Sequence, residues 1–349
     1  MLAGLSSASP FLPMGILRGS EPLPSLERLL LGAERHGTVA PVLDAIMALG
    51  QWLPAKWTTS QVEEWAVRVR RRDVSWWLRY ERQRDEALGL LARAGFSAPL
   101  LMKGAALGGL LYRGPWQRPC GDLDLLVPAG ELQACAEALE KGGYVANESP
   151  WVPRDLATGI NVCRDGFCVE LHSSLLATVE ASVGYGELSS HQGTLQGPVG
   201  ALMPSPSASI VVGVLHLVRH GYRFKMKDLA DLDRLARIEG LDWGWVHQRL
   251  RGAGLEAALG VTGWLAQGLM RTPWPLMGEE AAAPPHWVKL IATPGDEGFW
   301  RLPGATPERV TDVLALVAAS GGVAPVVSAA RRWASRRLWA LGANMTKRG

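Results

Sequence analysis

Residues 118–127 read RPCGDLDLLV, and the second half of this stretch predicts a β-strand with an acidic start. Asp122 and Asp124 are separated by one residue, so both carboxylates emerge on the same side of a strand. Leu123 and Leu125 then face the opposite side, where they belong to a core. The paired carboxylates are a candidate cation site, although D-x-D also occurs by chance and at ordinary solvated strand edges.

A second predicted strand, residues 167–172 (FCVELH), has the same alternating pattern. It places Glu170 and His172 on one face and the larger apolar residues on the other. If the two strands are neighbours, Asp122, Asp124 and Glu170 converge. Three adjacent carboxylates repel one another and favour a divalent cation, Mg²⁺ or Mn²⁺. His172 then either orients Glu170 or an acceptor, or is a structural histidine with satisfied hydrogen bonds.

A short extended run and a helix are predicted upstream, at residues 99–112. Lys103, Gly104 and Ala105 lie where this helix begins, so free backbone N–H groups and the positive helix end can receive phosphates there. Gly104 allows a phosphate to approach the backbone closely. The alternative for Lys103 is a solvated side chain at a helix start.

These motifs, taken in order, resemble a bacterial family of uncharacterised nucleotidyltransferases within the polymerase-beta-like nucleotidyltransferase superfamily. The matching segments are residues 101–107 (LMKGAAL), 111–112 (LY), 118–127 (RPCGDLDLLV), 143–144 (GY) and 169–172 (VELH). A weaker likeness continues to about residue 270 through His216, His220 and KDLADL at 227–232. Ala105 departs from the superfamily pattern, which usually has serine or glycine there.

The resemblance implies metal-dependent transfer of a nucleotidyl group from an NTP to an acceptor, with release of pyrophosphate. The residues implied are Asp122, Asp124 and Glu170 for catalysis and metal binding, Lys103, Gly104, Ala105 and Arg118 for the nucleotide, and His172, Lys227 and Asp231 as accessory or acceptor residues. Two plain alternatives stand beside these roles. Arg118 could pair with an acid of its own loop, and Lys227 and Asp231, four residues apart, could form a surface ion pair.

The acceptor is open at this stage: a small molecule, a peptide or a sugar phosphate. The chain has 36 Lys and Arg against 33 Asp and Glu, and this near-neutral charge disfavours a large RNA acceptor. Two rival hypotheses are a catalytically silent binding or assembly protein with the same fold, and a toxin of the abortive-infection kind, whose nucleotidyltransferases carry similar motifs.

The periodicities predict an α+β protein in three parts. Residues 1–94 form a helical region, in which a long helix over about 60–94 starts with a capping box at Ser60 and Glu63. Residues 95–197 form a small mixed-sheet domain, polymerase-beta-like by resemblance. Residues 198–349 are mostly helical, with helices expected at about 206–220, 227–239, 243–252, 255–269 and 307–341.

The last 19 residues, 331–349, carry six cations and no acid. A solvated terminal helix is favoured over a nucleic-acid or membrane contact there. The apolar run at 313–330 contains serine, glycine and proline, so it predicts a pair of core helices and not a membrane span.

The composition, 48% apolar and 20% charged, fits a soluble globular protein and excludes a disordered chain. The four cysteines lack zinc-site spacing and predict isolated thiols in a reducing cytosol. Met1 to Gly4 has no basic segment typical of a signal peptide, and a cytoplasmic location is expected.

Overall fold

The computed structural model describes residues 26–35, 37–49, 58–147, 159–176, 183–220, 225–270 and 272–275. Within these ranges, seven strands form one mixed sheet with helices packed on both faces, which confirms the expected α+β class. No helix in the same ranges is both long enough and apolar enough to cross a membrane. The expected core helices at 313–330, the helical region at 307–341 and the basic tail lie outside the described residues.

Ten α-helices and seven strands occur in the described residues. The helices are α1 (Leu26–Arg35), α2 (Val39–Leu49), α3 (Thr59–Arg93), α4 (Lys103–Leu111), α5 (Leu132–Lys141), α6 (Tyr185–Ser189), α7 (Pro206–Arg219), α8 (Met226–Ala236), α9 (Trp243–Gly252) and α10 (Glu256–Met270). The strands are β1 (Leu100–Leu101), β2 (Asp122–Leu126), β3 (Val145–Ala146), β4 (Gly159–Arg164), β5 (Phe167–His172), β6 (Leu195–Gln196) and β7 (Leu202–Met203).

The strand order in the sheet is β3-β4-β5-β2-β1-β7-β6. β2 and β5 run parallel as direct neighbours, and Asp124 lies opposite Glu170. β4 and β5 form a hairpin around Asp165 and Gly166, which have φ angles of 50° and 77°. Positive φ at both turn residues matches the twist of the flanking strands. The two acidic strands are therefore adjacent, as convergence of their carboxylates requires.

One face of the sheet is apolar and packs on α3 and α5. Leu123 and Leu125 of β2 and Val169 and Leu171 of β5 have no solvent exposure. Because side chains alternate along a strand, burial of this face turns the acids of both strands to the opposite face.

The helices from α7 onwards pack on the sheet face that carries the acids, and they cover the part of it next to the carboxylates. Leu100 and Leu126 of the sheet share a core with Val211 and Leu215 of α7 and with Leu229 of α8. α7 and α8 therefore lie close to the carboxylates, on the same side of the sheet.

The long helix α3 starts with a different capping box from the predicted one. Thr58 is the N-cap residue: its hydroxyl accepts a hydrogen bond from the Gln61 backbone, and the Gln61 side chain accepts one from the Thr58 N–H. The Ser60–Glu63 prediction is wrong because two overlapping patterns occur here, and only Thr58 has the extended backbone of an N-cap.

A buried ion pair joins the loop before β2 to α8. Arg118 donates to Asp231 through Nε and Nη2 at 2.8 and 2.7 Å, and more weakly to Asp228 at 3.5 Å. The Tyr112 hydroxyl donates to the other oxygen of Asp231 at 2.7 Å. Arg118 is only 4% exposed and Asp231 5%. Burial would lower the pKa of Arg118, but the charge of Asp231 and the hydrogen bond to it hold this pKa well above its ordinary value, so the charge is retained.

The expected surface ion pair between Lys227 and Asp231 is not formed between these two described residues. Lys227 Nζ donates instead to the carbonyl oxygen of Pro119 at 3.2 Å. Its stem also lies against Gly37, where a Cβ would come within 2.8 Å of Lys227 Cδ. Gly37, with a φ of 63°, thus allows the turn between α1 and α2 to contact α8.

Replacing Asp231 should destabilise the fold strongly. Asp231→Ala leaves the buried Arg118 charge without its main partner, and the expected loss is about 3 kcal/mol or more in the free energy of unfolding. Urea denaturation measures it. The control Glu256→Ala breaks the exposed pair with Arg251 and should cost less than about 1 kcal/mol. Equal losses for the two variants would contradict a structural role for the buried pair.

Candidate functional site

The carboxylates of β2 and β5 meet at the edge of the apolar core. One oxygen of Asp124, one of Glu170 and a ring nitrogen of His172 lie within 4.8 Å of one another. Asp124 and His172 are buried, whereas 30% of the Glu170 side chain is exposed. The cluster therefore has a closed inner side formed by Asp124 and an open side formed by Glu170.

Asp122 lies on the same sheet face but outside this group of three. Burial and the negative charges of Asp124 and Glu170 raise the pKa of Asp122. This is the mutual repulsion expected of crowded carboxylates, and a cation would relieve it. Asp122 is held from behind by α3, since the Tyr80 hydroxyl donates to its backbone oxygen at 3.3 Å.

His172 lies between the acids and an arginine. Its Nε2 is 3.4 Å from Asp124 Oδ1 and 3.5 Å from Glu170 Oε2. Its Nδ1 is 3.4 Å from Nη1 of Arg219, the last residue of α7. A guanidinium can only donate, so Nδ1 accepts and, in the neutral ring, Nε2 carries the proton towards the carboxylates. Sequence reasoning did not identify Arg219.

The pKa values follow from these contacts. Burial would raise the pKa of Asp124, but the hydrogen bond to His172 and the charge of Lys103 outweigh it and leave this pKa well below its ordinary value. The His172 hydrogen bond likewise lowers the pKa of Glu170. Burial would lower the pKa of His172, yet its bonds to the two acids raise it. Asp124 and Glu170 are therefore ionised at neutral pH.

Lys103 is the cation in direct contact with the acids. Its Nζ donates to Asp124 Oδ1 at 2.6 Å. Lys103 is also the first residue of α4 and has a φ of 50°, a left-handed conformation that is rare outside glycine. Such backbone strain is often found at functional sites. The alternative of a freely solvated lysine does not describe this side chain, which is 21% exposed and ion-paired.

The start of α4, where the sequence predicts a phosphate site, has no side-chain cap. The backbone N–H groups of Lys103, Gly104 and Ala105 therefore have no capping partner. Packing also requires glycine at position 104. A Cβ there would come within 2.4 Å of Cys120 Sγ and 3.1 Å of Arg118 Nη1. The glycine lets α4 pack against the loop that leads to Asp122.

Three other predicted site residues are bonded elsewhere and not to Asp122, Asp124 or Glu170. Arg118 and Asp231 are bonded to each other, and Lys227 is bonded to the loop backbone. The positive charge of Lys227 nevertheless favours the ionised form of Asp122 and opposes the rise in its pKa. The roles of these residues towards nucleotide or acceptor stay predictions, and their observed contacts hold the loop before β2.

The residues fit a hard divalent cation. Carboxylate oxygens are the ligands that Mg²⁺ and Mn²⁺ prefer, and Asp124, Glu170 and Asp122 supply three carboxylates on one face. The ion-paired Lys103 compensates only part of this charge. A search of the described ranges for three or more His, Cys, Asp or Glu side chains close enough to share an ion gives one group, Asp124, Glu170 and His172.

The expectation of isolated thiols is wrong for one pair. Cys163 and Cys168 form a disulfide across the β4–β5 hairpin, with their Cα atoms 4.1 Å apart. They are direct cross-strand partners because the Asp165-Gly166 turn sets that register. Cys168 shares the sheet face of Glu170, so the bond lies beside the acidic site. Cys120 and Cys135 are free and buried.

The disulfide predicts a specific thiol count. Alkylation of the denatured, unreduced protein should label two of the four cysteines, Cys120 and Cys135, and all four after reduction, as read by mass spectrometry. Loss of this short cross-link should lower the free energy of unfolding by about 2 kcal/mol in a Cys163→Ser, Cys168→Ser double variant. Four labelled thiols without reduction would contradict the pairing.

Comparison with known proteins agrees with this geometry. The searches of curated proteins and of solved structures found no match. The profile of a family described as uncharacterised nucleotidyltransferases matches residues 25–271, more than half of the 349 residues. This range includes the helix start at Lys103, both acidic strands and the whole of α7 to α10. The chain therefore belongs to the uncharacterised nucleotidyltransferase family.

Proposed function

We propose that this protein is a metal-dependent nucleotidyltransferase that transfers a nucleotidyl group from an NTP to a hydroxyl-bearing acceptor. The observation that carries the proposal is the convergence of Asp122, Asp124 and Glu170 beside a helix start that bears Lys103. Carboxylates for a cation and a cationic helix start for phosphates are the two features that this reaction needs together.

Asp124 and Glu170 would hold the ion, with Asp122 as a further carboxylate. When bound, Mg²⁺ or Mn²⁺ supplies charge neutralisation and orientation for the reacting phosphate. His172 would position both acids through Nε2, since it lies 3.4 to 3.5 Å from each.

The chemical step is a substitution at the α-phosphorus. The acceptor oxygen forms a new bond to phosphorus, the bond to the bridging oxygen of the β-phosphate breaks, and pyrophosphate leaves. Glu170 is the partly exposed acid and is ionised at neutral pH, so we assign it as the base that takes the acceptor proton. Lys103 and the N–H groups of Gly104 and Ala105 would bind phosphate oxygens.

The proposal also assigns roles to the two larger parts of the chain. Residues 95–197 carry the reacting groups, and the helical part from residue 198 onwards supplies contacts to the acceptor, a small molecule, a peptide or a sugar phosphate. A cytoplasmic location is proposed with it, because NTPs are available there.

Removing single carboxylates should abolish the reaction without unfolding the protein. Asp124→Asn and Glu170→Gln should each lower nucleotidyl transfer at least about a thousandfold, because each neutralises a ligand or the base. Labelled NTPs with pooled small-molecule, peptide and sugar acceptors, scored by mass shift, measure activity. Thermal stabilisation by Mg²⁺ with NTP measures binding and should shrink in Asp124→Asn and in an Asp122→Asn, Asp124→Asn double variant.

Asp165→Asn is the matched control, because Asp165 lies at the tip of the hairpin that carries Glu170 and should leave both readouts unchanged. No stabilisation of the wild type by Mg²⁺ and NTP, or equal stabilisation of the double variant, would overturn the proposal and favour a silent binding protein. If expression of the wild type arrests growth and the same variants do not, the protein is instead a toxin.

A further inference from the structure

We infer that Arg219 binds the triphosphate of the NTP at the open edge of the acidic cluster. The inference rests on the proposed function and adds a substrate-binding residue that the motifs from Lys103 to His172 do not contain. It assigns to α7 a direct part in nucleotide binding, in addition to its packing against the sheet.

Arg219 is an exposed residue at the rim of the site. It ends α7, and its guanidinium reaches back to His172 Nδ1 at 3.4 Å. Within the described part of the chain, the guanidinium has no carboxylate within salt-bridge distance. Its contact in this part of the structure is the one ring nitrogen of His172, so several of its five N–H donors stay open to a ligand.

Three other cations near the site have partners among the described residues. Lys103 is bonded to Asp124, Arg118 is buried in its pair with Asp231, and Lys227 donates to a backbone carbonyl. Arg118 was the arginine expected at the triphosphate, but using it there would leave Asp231 buried without its partner. Arg219 can contact a ligand without breaking an ion pair formed by the described residues.

Charge and shape make a polyphosphate the fitting ligand. An NTP brings several negative charges next to Asp122, Asp124 and Glu170, so its phosphates need cationic partners from the protein. The forked guanidinium binds two phosphate oxygens at once, which an ammonium group cannot do.

Inorganic tripolyphosphate tests the inference, because it carries the phosphate chain without requiring a choice of base. Titration calorimetry with Mg²⁺ present should show binding weakened about tenfold or more in Arg219→Ala. Arg219→Lys keeps the charge but not the fork, and its affinity should fall between those of the wild type and Arg219→Ala. The control is Arg251→Ala, which removes another exposed arginine in the last turn of a helix and should bind normally.

A second measurement separates phosphate binding from an indirect effect through His172. Mn²⁺ binding without nucleotide, followed by electron paramagnetic resonance, should be unchanged or slightly tighter in Arg219→Ala, because a nearby cation is removed. Equal weakening of Mn²⁺ and tripolyphosphate binding would make Arg219 a positioning residue for His172 and overturn the inference.

The remaining outcomes are also decisive. Wild-type affinity for tripolyphosphate in Arg219→Ala would overturn the role of Arg219 and leave the proposed function intact. Absence of Mg²⁺-dependent binding of tripolyphosphate and NTP by the wild type would overturn both. Thermal unfolding of each variant identifies a folding defect, and the charge-preserving Arg219→Lys then supplies the comparison.

Discussion

Asp124 and Glu170 face each other on two parallel strands, and the repulsion between such carboxylates has to be balanced before the fold can hold them together. Lys103 and His172 supply that balance through bonds to Asp124, and His172 in turn contacts Arg219. These three residues come from three different elements. The start of α4 and the end of α7 are thereby fixed around the same point of the sheet.

A second constraint acts behind the acids, in the loop that leads into β2. Cys120 lies against Gly104, its backbone oxygen accepts a hydrogen bond from Trp76 at 2.7 Å, and the neighbouring Arg118 is held by Asp231. The loop is thus anchored to α3, α4 and α8 together. Since Asp122 follows directly, this packing sets where the first carboxylate of the site begins.

Local patterns predicted much of this arrangement. Alternation in β2 and β5 placed the acids on one face, and helical periodicity located α7 to α10 to within three residues at each end. The disulfide could also have been predicted from the sequence, because the Asp165-Gly166 turn makes Cys163 and Cys168 cross-strand partners. The pair was missed because the cysteines were compared only with zinc-site spacings, which do not consider which residues face each other across a hairpin. The two-residue strands β6 and β7 are too short to give a periodic signal.

The sequence by itself determined which polar side chains share a strand face or lie at a helix start, because D-x-D in a strand, E-x-H in its neighbour and lysine-glycine at a helix start are local patterns with local geometry. Only the tertiary structure decided which charges stay available. Arg118 and Asp231 are 113 positions apart yet neutralise each other in the interior, and Arg219 meets His172 across 47 positions. Pairing between distant segments depends on how helices pack on the sheet, and no spacing along the chain records it.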